Sequence, residues 1–321
     1  MGWCPITVLG VGAMTWSQKM GMQQDGLHLL GTIDIPMFLI KHDAGWALVD
    51  ASVEPLAPRI LQQLEAICGD LTTITHWFIT HSHYDHIGTL ALLYPWLPAV
   101  KVYASAATSN TLKNPKAHAV TAKLTSSLYN ILPEAEHAPA AMEAKKVDFA
   151  DIPIISLADG DKVTLSAGHQ VVAVATPGHA KCLLSFYEPK FKRLYVSDTL
   201  GEMVSPTQWE PLVFQDYQAY QDSLRKLQAL DVNCLVLGHH GVLYGEPANV
   251  AAASALQGLT QFKSRAARLL SENEGDLNAT AQVVSDITRQ STEKFITKKL
   301  HYNGTLLMMQ LMGFAGQPEL S

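Results

Sequence analysis

HSHYDHIG (His81–Gly88) follows directly on ITHWFIT (Ile74–Thr80), and this junction decides how the chain is read. Ile74–Thr80 is a short apolar run rich in β-branched and aromatic residues, the pattern of a strand. Three imidazoles and a carboxylate then fall within six residues, His81, Ser82, His83, Tyr84, Asp85 and His86. Ligand-type side chains concentrated at the carboxyl end of a strand lie where α/β sheets place their chemistry. Imidazole nitrogen and carboxylate oxygen are the donors that first-row divalent ions accept, and no thiolate is among them.

Working outward, Ile35–His42 and Gly45–Asp50 read as two strands separated by the turn Asp43-Ala44-Gly45. Pro55–Ile67 carries Leu56, Ile60, Leu64 and Ile67 at helical spacing. Strand, helix and strand in succession predict a layered α/β domain. Residues 105–150 read as helix and loop, and strands resume at Gln170–Thr176, Leu183–Tyr187 and Arg193–Ser197. Asp216–Leu230 is expected to be a helix and Cys234–Leu237 a strand. Beyond Pro247 the segments Val250–Leu270, Leu277–Gln290, Glu293–Leu300 and Thr305–Met312 suggest three or four helices and no strand. A boundary is therefore placed at residue 246, with residues 1–246 as one domain and 247–321 as a helical appendage.

Three further ligand-type positions each sit at a strand end beside glycine or a small residue: Pro177-Gly178-His179, Ser197-Asp198-Thr199 and Leu237-Gly238-His239-His240-Gly241. Alone, either histidine would be an ordinary turn residue and Asp198 a helix cap. The ordered set HxHxDH, GH, SD, GH resembles the metallo-β-lactamase superfamily, over roughly residues 30–245. That resemblance implies an αββα sandwich with two divalent metal ions. His81, His83 and His179 would hold one ion, Asp85, His86 and His239 the other, and Asp198 would bridge them. Zn, Fe and Mn all suit such nitrogen and oxygen donors. Within the superfamily, LLGTIDIPMFLI, ITHWFITHSHYDH, SDTLGE and EPLVFQDYQAYQDSLRKLQAL are similar to the PqsE-type thioesterases of the quinolone signal response. Their helical C-terminal cap corresponds to residues 247–321 here.

Two metal ions about 3.5–4 Å apart activate water at neutral pH and polarise a carbonyl, so hydrolysis of a thioester, ester or lactone is the expected reaction class. Asp85 and Asp198 are the candidate catalytic carboxylates, Asp85 by steering the attacking water or shuttling a proton. The chain has no GxSxG nucleophile elbow, which argues against a serine hydrolase. The leading expectation is a thioesterase acting on acyl-CoA or carrier-bound acyl groups, aromatic or β-keto, in secondary metabolism. A lactonase opening acyl-lactone signals is the alternative within the same chemistry. The alternative from another class is an interaction protein that serves a transcriptional regulator while retaining its metal site. A homodimer is a further candidate assembly.

Tyr84, Glu202, His301 and Thr305 are the candidate substrate contacts; each has an ordinary structural reading beside it. His240 either orients a ligand or is solvated. His28, His42, His76, His118, His137 and His169 take the default of surface or satisfied core residues. Met308, Met309 and Met312, with Leu306, Leu307, Leu311 and Phe314, are expected to pack a helix, the minority reading being the wall of an apolar pocket.

The bulk composition agrees with a folded enzyme. The 321 residues are 48% hydrophobic and 16% charged, enough to bury a sizeable core. A formal net charge of -6 argues against nucleic acid as a partner. No apolar run approaches the roughly 18–20 residues that span a bilayer. MGWCPITVLGVGAM at the start lacks a positive flank and is read as an opening strand or unstructured leader rather than a signal peptide. Cys4, Cys68, Cys182 and Cys234 form no CxxC pair, so reduced thiols in a cytoplasmic protein are expected.

Overall fold

Pro36–His42 shows how the chain builds its layers. Side chains alternate across a strand, and here both faces are apolar. Met37 and Leu39 face a cluster shared with the helix Ala57–Cys68, while Phe38 and Ile40 face the opposite way into a second cluster. A computed structural model describes residues 16–289 and 296–315. The reading of the first fourteen residues, Cys4 and the start of the Glu293–Leu300 segment lie outside the described residues.

Seven strands form the first sheet, in the spatial order Gly21–Met22, Leu27–Gly31, Pro36–His42, Gly45–Val49, Ile74–Phe78, Lys101–Ser105 and Ile154–Leu157. Its first four strands pair antiparallel and the remaining pairings are parallel. The second sheet runs Trp16–Ser17, Val242–Tyr244, Cys234–Leu237, Arg193–Ser197, Leu184–Glu188, His169–Ala175 and Lys162–Ser166. Phe38, Ile40, Phe78 and Tyr103 of the first sheet meet Val171, Phe186, Tyr195 and Val236 of the second in one buried cluster. The helix Ala57–Cys68 covers the outside of the first sheet through Ile60 and Leu64. The helices Tyr217–Gln228 and Glu246–Glu272 cover the second through Leu224, Leu227, Leu259 and Phe262. The architecture is helix, sheet, sheet, helix, the expected αββα sandwich.

The strands not anticipated include Val242–Tyr244, Lys101–Ser105, Ile154–Leu157 and Lys162–Ser166. The last two are short sheet-edge strands with several solvent-facing residues, so they carry little apolar signal. From Glu246 onward the described elements are helices, Glu246–Glu272, Leu277–Arg289 and Lys298–Leu311. The break expected between the segments Glu293–Leu300 and Thr305–Met312 is corrected: among the described residues one helix runs unbroken over Lys298–Leu311. Gly304 does not break it. A Cβ there would stand 3.4 Å from the Phe214 ring, so the glycine lets the helix lie close to that wall.

Candidate metal centre

The site is assembled where strands of both sheets end. Ile74–Phe78 leads through Ile79 and Thr80 to His81 and His83, and the short helix Tyr84–Ile87 carries Asp85 and His86. His179 follows His169–Ala175, Asp198 follows Arg193–Ser197, and His239 follows Cys234–Leu237. Two glycines permit the convergence. Gly178 has φ +133°, and a Cβ there would lie 2.3 Å from Cα of Tyr220. At Gly238 a Cβ would lie 2.8 Å from Oδ1 of Asp198.

The expected ligand residues fall into two groups, His81, His83, His179 and Asp198 on one side and Asp85, His86 and His239 on the other. Within each group the donor atoms lie within 4.8 Å of one another. Asp198 reaches toward both. Its Oδ2 is 3.0 Å from Nε2 of His179 and 3.7 Å from Nε2 of His81. Its Oδ1 is 3.5 Å from Nε2 of His86 and 3.4 Å from Nε2 of His239. Oδ2 of Asp85 lies 3.7 Å from Nε2 of His86 and 3.8 Å from Nε2 of His239. One carboxylate thus turns an oxygen toward each group.

The outward ring nitrogens are held by the protein, which leaves the inward ones for a ligand. Nδ1 of His239 lies 2.6 Å from the Asp34 carbonyl, and Nδ1 of His179 lies 2.9 Å from the Leu212 carbonyl. Nδ1 of His86 lies 2.9 Å from Oδ2 of Asp50. Asp50 is 1% exposed and its Oδ1 also accepts from the Thr80 amide and hydroxyl, at 2.9 and 2.7 Å. Sequence reasoning missed Asp50. Its signal was an acidic residue ending the apolar run Gly45–Asp50, and its φ of +58° marks a sharp exit from that strand.

Nε2 of His81, Nε2 of His86 and Oδ1 of Asp198 are buried without a hydrogen-bond partner among the described residues. Orphaned polar atoms are expensive inside a protein, and a cation among these donors removes the penalty. The electrostatics agree. Burial pushes the His81 imidazole well down and takes His83 to about 4, with neighbouring imidazoles adding to the effect. Both rings are therefore neutral at pH 7, the form that ligates. Burial also opposes charge on His86, but Asp198, Asp85 and Asp50 outweigh it and hold that ring well above its ordinary value. Burial of Asp198 is likewise outweighed, by His86 and His179, and its carboxyl stays well below the usual range. Surplus carboxylate charge thus surrounds the ring nitrogens, and a divalent cation matches it. The residues fit a divalent metal site.

Above the donors opens a cavity of about 460 Å³. His83, Asp85, His179, Asp198 and His239 form its floor. All four expected substrate contacts, Tyr84, Glu202, His301 and Thr305, line it. Leu212, Phe214 and Phe262 supply apolar wall, as do Leu300, Leu307 and Met308 of the C-terminal helices. The methionine cluster therefore divides: Met308 also faces the cavity, whereas Met309 and Met312 pack in the core. Glu210 lines the cavity as well and pairs with Arg265 at 2.6 Å; the sequence offered no signal for it. His240 is not part of the wall and lies between Asp34 and Glu202, at 3.6 and 3.4 Å. His169 is buried with Nε2 2.6 Å from Oε1 of Glu188, a satisfied core histidine, whereas His42 departs from that expectation: both its ring nitrogens are buried without a hydrogen-bond partner among the described residues.

Among solved structures, a metallo-beta-lactamase family protein from Thermus thermophilus aligns with a TM-score of 0.60 at 22% identity, covering 90% of this chain and 94% of that one. An archaeal superfamily protein from Sulfolobus tokodaii aligns with a TM-score of 0.52 at 18% identity, covering 75% and 87%. The MIM-2 metallo-beta-lactamase gives 0.52 at 20% identity with the same coverage. At these identities the likeness concerns the fold. The family model described as metallo-beta-lactamase superfamily matches residues 31–239, the span that holds every residue of the donor set. With sandwich, strand-end donors and matched span in agreement, the chain belongs to the metallo-β-lactamase superfamily.

Proposed function

We propose that the protein is a two-metal thioesterase that cleaves acyl-CoA or carrier-bound acyl thioesters, with aromatic or β-keto acyl groups. The observation that carries this reading is Asp198, which turns one oxygen to each donor group at the floor of an apolar-walled cavity. His81, His83 and His179 would hold one ion, Asp85, His86 and His239 the second, with Asp198 between them. Zn, Fe or Mn bound there would supply Lewis acidity toward the carbonyl and a nucleophilic water.

The chain's own groups divide the remaining work. Asp85, on the cavity floor, accepts a proton from the attacking water and passes it toward the leaving thiolate. Leu212, Phe214, Phe262 and Leu300 enclose the acyl group and exclude bulk water. Tyr84, Glu202, His301 and Thr305 supply its polar contacts. Residues 247–321 serve as the cap that sets the acyl range. No lysine or arginine is among the described lining residues, so beyond the metal ions themselves this cavity offers a β-lactam carboxylate no cationic side chain. The sequence similarity to the PqsE-type thioesterases points the same way.

A substrate panel tests the proposal on protein carrying its full metal complement. Aromatic and β-keto thioesters should be hydrolysed with higher kcat/KM than acyl-lactones and β-lactams. Preferred turnover of lactones would replace the thioesterase by a lactonase on the same centre. Failure to hydrolyse any thioester would end the proposal.

A further inference from the structure

We propose that Ser285 is a positioning residue that locks the His301 imidazole in one tautomer, so that Nε2–H is offered to the cavity as a donor for an oxygen of the substrate's non-reacting part. This rests on the cavity being the substrate site, and it assigns how that site recognises its acyl group.

Ser285 lies on the helix Leu277–Arg289 and His301 on the neighbouring helix Lys298–Leu311. Ser285 is 2% exposed, and its hydroxyl stands 2.7 Å from Nδ1 of His301. A neutral imidazole has one donor and one acceptor nitrogen, and its partner decides which is which. Among the described residues Nδ1 is the hydrogen-bond partner found for the Ser285 hydroxyl, whose hydrogen would otherwise be buried unmade. The hydroxyl therefore donates, Nδ1 accepts, and the ring hydrogen resides on Nε2. His301 lines the cavity with its Nδ1 edge turned to Ser285, which leaves Nε2 for a ligand.

The Ser285 contact fixes the ring, and its burial favours the neutral form. Burial pushes the His301 imidazole below its ordinary value, with Arg289 adding to this and Asp286 opposing it. The His301 carbonyl accepts from the Thr305 hydroxyl at 3.0 Å, which ties a second cavity-lining residue to the same turn. A neutral N–H donor suits a keto, ester or amide oxygen. The ligand class is thus an acyl group with a hydrogen-bond acceptor away from the scissile carbonyl, and a 3-oxoacyl thioester is the simplest probe.

The test has two arms on the zinc-loaded protein. Nitrogen-15 NMR of the His301 ring should show the Nε2–H tautomer in the wild type and in Ser285→Thr, and a mixture in Ser285→Ala. Kinetics should then compare a 3-oxoacyl thioester with the matched thioester lacking the oxo group. Loss of one oriented hydrogen bond corresponds to about two- to tenfold. The preference for the oxo substrate should fall by that factor in Ser285→Ala, through KM rather than kcat, and return in Ser285→Thr. An Nδ1–H tautomer in the wild type, or equal losses on both substrates, overturns the proposal. If the wild type hydrolyses neither thioester, the reaction reading fails while the NMR arm still decides the tautomer.

Discussion

Asp50→Asn isolates the contribution of a carboxylate that reaches the metal donor groups through His86. In the wild type its Oδ2 faces Nδ1 of His86 at 2.9 Å, and its Oδ1 takes the Thr80 amide and hydroxyl. Asparagine has nearly the same volume but one oxygen and one NH2. With its oxygen on Thr80, the NH2 donates to Nδ1 of His86 and drives that ring's hydrogen to Nε2, the atom aimed at Asp198. With the amide turned over, the NH2 meets the Thr80 amide donor and leaves it unsatisfied. The first arrangement takes Nε2 of His86 from the second donor group, and the other keeps it only at the cost of a buried, unsatisfied Thr80 amide. Partners that orient metal-binding histidines are worth roughly 10–100-fold in affinity, or about 1.4–2.7 kcal/mol. Chelator-competition titration of the metal-free variant should show one of two equivalents weakened by that factor, with the other near wild type. Two equivalents of wild-type affinity would refute the reasoning, and equal weakening of both would place the effect in folding.

Other consequences of the structure are open to the same kind of check. Asp198→Ala removes the carboxylate that faces both donor groups, so bound metal measured after gel filtration should fall further than in His240→Ala; equal retention in the two variants would contradict a bridge. Glu188→Ala strands Arg193, whose buried guanidinium it meets at 3.0 Å beside the Tyr195 hydroxyl and His169, and should lower the unfolding free energy by about 3–5 kcal/mol in denaturant titration. A loss below about 1 kcal/mol would show that this network contributes little. His76 is pushed down to about 4, by burial first and then by His42 and Lys101. The unfolded chain therefore binds a proton that the folded one refuses between about 4 and 6.5, and stability drains as pH falls through that window. His76→Phe should flatten that acid limb of the urea midpoint, and an unchanged slope would be the contrary result.

The donor set was legible because each ligand sits at the carboxyl end of an apolar strand beside glycine or a small residue, a local pattern in the chain. The sandwich was legible from runs such as Pro36–Ile40, apolar on both faces. Other features depend on partners distant in sequence. Asp50 reads as the end of a strand until His86 and Thr80 are folded against it. Glu210 acquires its place in the cavity wall only where Arg265 meets it. Ile154–Leu157 and Lys162–Ser166 lie at sheet edges with solvent-facing residues, so their periodicity is faint. Asn303-Gly304 carries a strong local turn signal that the packing of Lys298–Leu311 against Phe214 overrides. Leu307 and Met308 belong to the cavity wall although the sequence reading assigns them to plain helix packing, because facing a cavity and facing a core look alike along a helix.

The central claim is that seven side chains from both sheets hold two metal ions. Metal-free protein reconstituted separately with Zn, Fe and Mn, freed of excess ion and measured by elemental analysis, tests it directly. The account predicts two ions per chain with at least one of these metals, lost together with hydrolytic activity on chelation. One ion per chain at saturation would contradict the bridging role of Asp198, and none with any of the three would contradict the metal centre itself.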